Sequence, residues 1–302
     1  MHFLNRFTLL AGCLVALVAF SADADDVSNT QKKVAQTHLT TAGVKNGATV
    51  ESESLIFCSS LPETRAKAIV EGLQKVYKTG RKGLQFEQKE EAWKGKLAVF
   101  FLPTKQEYNE FLRLVAGERP GTAYALMIRS DEPYVVGGGD IGEKAKDADI
   151  SAELGTVIGA ALLMSKAGSS TPVPGWVRTG FGRAAVLRAD GVNGKRFLAY
   201  RSEARVAVLG GKGKPALIAD VWEAERADSD LLATSLMDYM AFGPGSANFS
   251  RFLTGLKPNE NGDAPTIQAA LESGGWKPDA LEAAWKKWVQ AGIPEAKQTP
   301  PK

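Results

Sequence analysis

Histidine is almost missing from this chain: there are two among 302 residues. Histidine is the commonest metal ligand and the commonest general base near neutral pH. His2 falls in an apolar leader and His38 in a polar segment behind it, so the body of the chain has none. A two-histidine zinc site, a Ser-His-Asp triad and a Cys-His dyad are therefore not expected. Cysteine is as scarce, with Cys13 in the leader and Cys58 beyond it. A single thiol left after leader removal has no intramolecular partner. Leu55, Ile56 and Phe57 beside it predict a buried strand cysteine that packs as a small apolar group, and with no histidine near it a nucleophilic role is not expected. Charge of one sign is also lacking. Lys and Arg number 37 against 34 Asp and Glu, a net +3 spread along the chain. Nucleic-acid binding needs a basic stripe, and none is visible. Internal repeats and coiled-coil heptads are absent as well.

The first 24 residues read as a secretory signal. Arg6 supplies the basic start, Phe7 to Phe20 an apolar stretch too short to span a bilayer, and Ala22-Asp23-Ala24 a small-x-small cleavage site. The mature chain then starts at Asp25, is secreted or periplasmic, and carries no transmembrane segment. An alternative is a lipoprotein anchored through Cys13, because Leu10-Ala11-Gly12-Cys13 matches a lipobox. Against it, Leu14 to Phe20 continue the apolar run past the cysteine.

Residues 25–46 are polar and read as a flexible lead, and 293–302 as a disordered Pro/Lys-rich tail, since neither can bury a core. Between them the pattern predicts an α+β chain. Over 47–140, strands and helices alternate in a small mixed sheet layer of about four strands: Val50 to Cys58, Leu97 to Leu102, Thr122 to Arg129 and Tyr134 to Val136. Ser60, Pro62 and Glu63 have capping-box spacing ahead of the helical stripe Ile69, Leu73, Val76 and Tyr77, and Thr104 to Glu107 forms a second box. Over 141–292 the chain is mostly helical. Ile150, Leu154, Val157, Ile158, Ala161 and Leu162 mark one strongly periodic helix. Others are predicted over Trp176 to Arg188, Phe197 to Leu209, Leu231 to Phe242, Ala247 to Leu256 and Pro278 to Val289.

Two segments of that helical part carry the functional argument. The first is Ala152-Glu153-Leu154-Gly155-Thr156 on the periodic helix. The second is Pro174-Gly175-Trp176-Val177-Arg178-Thr179-Gly180, which opens the next helix. Their order and spacing resemble the gluzincin metallopeptidases of the peptidase MA-like superfamily, in which a His-Glu-x-x-His helix is followed by one beginning Pro-x-Trp-x-x-Glu-Gly. The resemblance extends through the sheet layer before the motif helix to Phe249 to Leu253 and the closing helix Leu281 to Val289. In that family two histidines at i and i+4 bind zinc from one helical face, the intervening glutamate is the general base, and the next helix supplies the third ligand. By resemblance the two histidines fall on Ala152 and Thr156 and the third ligand on Thr179, while the general base survives as Glu153. The implied fold is a thermolysin-like helical part behind the sheet layer, with its zinc site lost and no metal or cofactor expected.

The residues left in the vestigial cleft are Ala152, Glu153, Thr156, Trp176 and Thr179. Ala152 and Thr156 lie across the helix from Leu154 and Ile158. Thr179, Gly180 and Gly182 are small on the facing helix, so close packing across the former cleft is expected. Glu153 reads as a relic neutralised by Arg178 or Arg183. The function expected is that of an inactive pseudo-peptidase that binds or scaffolds a peptide or protein. The alternative is a residual metal-independent hydrolase using Glu153 with a hydroxyl such as Ser151 or Thr179. Gly137 to Asp140 and Gly210 to Pro215 do not fit phosphate-loop spacing and read as flexible turns. Trp276, Trp285 and Trp288 read as core.

Overall fold

The computed structural model describes residues 24–45, 47–120, 125–128, 133–139, 144–168, 170–211, 213–223 and 226–295. The leader through Asp23, with Cys13, and residues 296–302 of the expected tail lie outside this set. The fold is α+β. A mixed sheet of five strands is formed by β1 (Ala48–Glu51), β2 (Leu55–Ser59), β3 (Leu97–Leu102), β4 (Ala125–Ile128) and β5 (Tyr134–Gly138), in the order β1-β2-β3-β5-β4. The central pairs β2/β3 and β3/β5 are parallel, and the edge pairs β1/β2 and β4/β5 are antiparallel. The expected single strand from Val50 to Cys58 is a hairpin of two. Ser52 turns the chain there, its Oγ accepting from the Leu55 amide at 3.2 Å.

The central strands are buried on both faces, as parallel strands are. Leu55, Phe57, Val99, Phe101 and Val135 face α2 (Glu63–Gly83) and α4 (Asp147–Ala167). Ile56, Cys58, Phe100, Leu102, Tyr134 and Val136 face a second core under α1 (Ala24–Thr41) and α3 (Lys105–Phe111). Cys58 is fully buried, as the sequence predicted, and burial pushes its thiol up to about 11.

The lead over 25–46 is corrected by α1. Its apolar content is low, but Ala35, Leu39 and Ala42 recur at helical spacing and are buried on the sheet. His38 packs its ring against Phe100, Phe111 and Tyr134 at 5.6 to 6.3 Å. Ser28 donates to Glu51 at 2.6 Å, and Gln31 exchanges hydrogen bonds with the backbone of Lys96. Few large side chains are needed when the sheet supplies the apolar surface. The Ser60 capping box is also corrected. Pro62 stands at the N-cap of α2 without a side-chain cap, and the Ser60 hydroxyl donates to Glu107 instead. The Thr104–Glu107 box is present in full at the start of α3, which runs into a π-helical turn over Leu112–Ala116. Gly137 and Gly138 belong to β5 rather than to a turn. A Cβ on Gly138, at φ +149°, would stand 1.9 Å from the Leu102 carbonyl oxygen.

The helical part comprises α4, α5 (Gly175–Ala189), α6 (Lys195–Leu209), α7 (Asp220–Glu223), α8 (Ser229–Ala241), α9 (Ser246–Gly255), α10 (Ile267–Ser273) and α11 (Pro278–Gln290). By length and composition α4 could cross a membrane, the one such helix among the described residues. It is instead the middle of the core, with Ile150, Leu154, Ile158 and Leu162 fully buried. Trp276, Trp285 and Trp288 are buried. Ile293, at the start of the expected tail, is buried too, and Pro294 accepts from Trp288 Nε1 at 3.1 Å.

Candidate functional site

The motif helix α4 starts on Asp147 and Asp149 and ends on Lys166, charges that suit the two ends of the helix dipole. Arg65 of α2 ties down the first turn through Asp147 at 2.7 Å and the Ala145 carbonyl at 2.6 Å. Ser151 turns toward α2, where its hydroxyl donates to the carbonyls of Asp147 at 2.8 Å and Ile69 at 3.3 Å. Helix α5 runs antiparallel to α4. A Cβ on Gly155 would meet Val186 at 3.1 Å, and one on Gly159 would meet the Gly182 Cα at 2.8 Å. A Cβ on Gly182 would lie 2.1 Å from the Thr156 carbonyl oxygen, so only glycine permits this crossing. Gly180 has a different neighbour. It faces the Ala233 carbonyl of α8 and not α4.

An open groove of about 590 Å³ lies beside this crossing, between α4, α5, α6 and α8. Ala152, Glu153 and Thr156 line it together, with Leu187, Tyr200 and Leu231 among the opposing side chains. A second hollow of about 400 Å³ runs on toward α2 past Glu71, Lys75 and Ser151. The two share Ala152, Val186 and Arg196 as walls. The small side chain of Ala152 thus stands where they meet. Trp176 and Thr179, grouped with these residues by the sequence, are half-buried but do not line the groove. The Trp176 ring lies 6.1 Å from that of Trp222, and its buried Nε1 has no hydrogen-bond partner among the described residues. Thr179 lies on α5 before Gly182, and so farther along antiparallel α4 than Thr156.

The expected neutralisation of Glu153 is corrected. Arg183 pairs with Asp230 at 2.8 Å, and Arg178 points its guanidinium toward Met164 Sδ at 4.0 Å. Around the groove, Arg196 pairs with Asp190 at 2.7 Å and Arg226 with Asp228 at 2.8 Å. Glu153 and Glu203 are exposed at its rim and hold no ion pair among the described residues. The hydroxyl of Thr156 donates back to the Ala152 carbonyl at 2.9 Å.

This donor set does not fit zinc. Ala152 offers no ligand atom, the Thr156 hydroxyl is committed to its own helix, and a catalytic zinc needs about three protein ligands. Among the described residues no three His, Cys, Asp or Glu side chains gather around one point.

Beneath the groove is a polar network that the sequence analysis missed. Arg188 of α5 holds Asp238 of α8 in a two-pronged pair, at 2.6 and 3.1 Å. Their side chains are 8% and 1% exposed. Tyr200, in the groove wall, donates to the same carboxylate at 3.1 Å. The guanidinium lies 4.9 Å from the Phe197 ring, and Trp285 Nε1 donates to Ser235 at 3.0 Å. Burial pushes Asp238 above its ordinary value, against the pull of Arg188 and Tyr200, and burial with the Asp238 charge holds Tyr200 well above the usual phenol range. An arginine and an aspartate fifty positions apart carry no local signal of pairing. Compared with protein-family models and with curated proteins, the chain matches none.

Proposed function

We propose that the chain is an exported, degenerate member of the peptidase MA-like superfamily, a pseudo-peptidase that binds or scaffolds a peptide or protein segment. The observation that carries this reading is the groove lined jointly by Ala152, Glu153 and Thr156. It is an open hollow of apolar and charged side chains at the positions where the resemblance implies a catalytic centre, where Ala152 offers no ligand atom and the Thr156 hydroxyl is committed to its own helix. Hollows of this size that combine apolar walls with a few polar groups suit ligands. The hydrolase alternative is weaker. The Ser151 hydroxyl already donates to backbone carbonyls, Thr179 does not line the groove that holds Glu153, and no activated nucleophile stands beside Glu153.

Restoring the lost ligands tests the family reading. The combined variant Ala152→His and Thr156→His, whose positions both line the groove beside the carboxylates of Glu203 and Asp230, is expected to take up one equivalent of zinc, measured by metal analysis after gel filtration. A folded double variant that takes up none overturns it. The binding reading is tested by Ala152→Trp, which fills the junction of the two hollows. A peptide selected from a displayed library against the wild-type chain should lose its affinity for this variant. Equal affinity for both would rule the groove out as the binding site.

A further inference from the structure

We propose that the outward face of α6, with the loop that follows it, is a peripheral docking surface for an anionic lipid membrane. Four large apolar side chains are exposed among the described residues, and three of them lie here: Leu198 at 49%, Val206 at 56% and Leu217 at 56%. Helix α6 has an apolar core side and an exposed side on which two aliphatic side chains stand among cations. Phe197, Tyr200, Ala204, Ala207 and Val208 are buried in the core. At 100° per residue, Lys195, Leu198, Ser202, Arg205 and Val206 fall together on the opposite side, and all five are exposed. The loop folds back onto the end of the helix, where the Ala216 amide donates to the Val208 carbonyl at 3.1 Å. That holds exposed Lys214, Pro215 and Leu217 at the C-terminal end of α6.

The charge on this surface selects its occupant. Lys195, Arg205 and Lys214 are exposed and have no ion-pair partner among the described residues. Of the acids nearest the patch, Asp220 is paired with Arg226 at 3.3 Å and Glu282 with Lys286 at 2.7 Å, while unpaired Glu203 lines the groove on another side of α6. Aliphatic side chains interleaved with cations, and no free acid among them, suit an interface of anionic headgroups over acyl chains. A second copy would bring the same cations face to face, which like-charge repulsion opposes. This inference does not depend on the pseudo-peptidase reading.

The test is co-sedimentation of the chain from Ala24 onward, which holds every element of the described fold. The vesicles are phosphatidylethanolamine with phosphatidylglycerol, set against phosphatidylcholine alone. The wild-type chain is expected to pellet with the anionic vesicles and to be released by salt. Leu198→Ser, Val206→Ser and Leu217→Ser combined should abolish binding while leaving the thermal transition in place, because all three side chains are exposed. Lys195→Ala or Arg205→Ala should each weaken binding about fivefold. The proposal is overturned if the wild-type chain stays in the supernatant with anionic vesicles, or if the triple variant pellets as the wild type does. It is equally overturned if sedimentation velocity shows a dimer that the triple variant dissolves, since the face would then belong to a second copy.

Discussion

Replacing Asp238 by alanine would leave the Arg188 guanidinium, 8% exposed, without its carboxylate in the core between α5, α6 and α8. The bare cation cannot reach water, and the Tyr200 hydroxyl loses its acceptor at the same time. Breaking one side of a buried ion pair costs about 3–5 kcal/mol, mostly because of the uncompensated charge. For a chain of this size that corresponds to a fall in melting temperature of roughly 10 °C. Urea denaturation followed by circular dichroism measures the loss as a lower midpoint at unchanged slope. The companion variant Arg188→Met with Asp238→Leu removes both charges. It should recover most of the stability, since apolar replacements of buried pairs are often neutral. The reasoning is refuted if Asp238→Ala costs less than about 1 kcal/mol, or if the double variant is no more stable than the single one.

Gly182→Ala should force α4 and α5 apart at the Thr156 carbonyl and cost about 1–3 kcal/mol or more, whereas Gly175→Ala, with open space around it, should be neutral or slightly stabilising by thermal melt. Burial pushes the Glu51 carboxyl up, but hydrogen bonds from Lys32, Lys96 and Ser28 outweigh it and lower the group from 4.5 to about 2. Because the folded value is the lower one, this stabilisation is complete above about pH 5 and fades as the pH falls through 4.5 toward 2. With partial exposure it is worth about 1 kcal/mol after screening, and Glu51→Gln should show a flatter acid limb in stability against pH. Leu39→Ala should cost about 2–4 kcal/mol, because Leu39, on the side of α1 that packs on the sheet, is 4% exposed; a melting temperature equal to wild type would mean that α1 does not belong to the folded body.

The helices with wide apolar stripes were legible in the sequence. Those of α4, α5, α6, α8, α9 and α11 lie within a few residues of the predicted spans, because each buries a periodic set of side chains that the sequence displays. Strand β3 was legible for a related reason, being a short apolar run buried on both faces. Helix α1 was not, since its apolar face is built of alanines, one leucine and a histidine and gains its burial from the sheet. The hairpin of β1 and β2 was hidden because Glu51 and Ser52 interrupt the strand with partners far along the chain. At the candidate site, sequence spacing placed Ala152, Glu153 and Thr156 on one face of one helix, and the groove contains all three. It could not place Trp176 and Thr179, because their positions depend on where α5 crosses α4.

What the sequence by itself determined is local. It set the α+β order of elements and the buried helix α4, since periodicity and side-chain chemistry are properties of short segments. Only the tertiary structure decided which groups meet. The Gly159–Gly182 contact fixes the crossing of α4 and α5. That crossing opens the groove beside Ala152, and the packing of α5 on α8 commits Arg183 to Asp230 rather than to Glu153 and brings Arg188 to Asp238. Close approach and charge pairing act between residues far apart in the chain, so they exist only once the helices have packed.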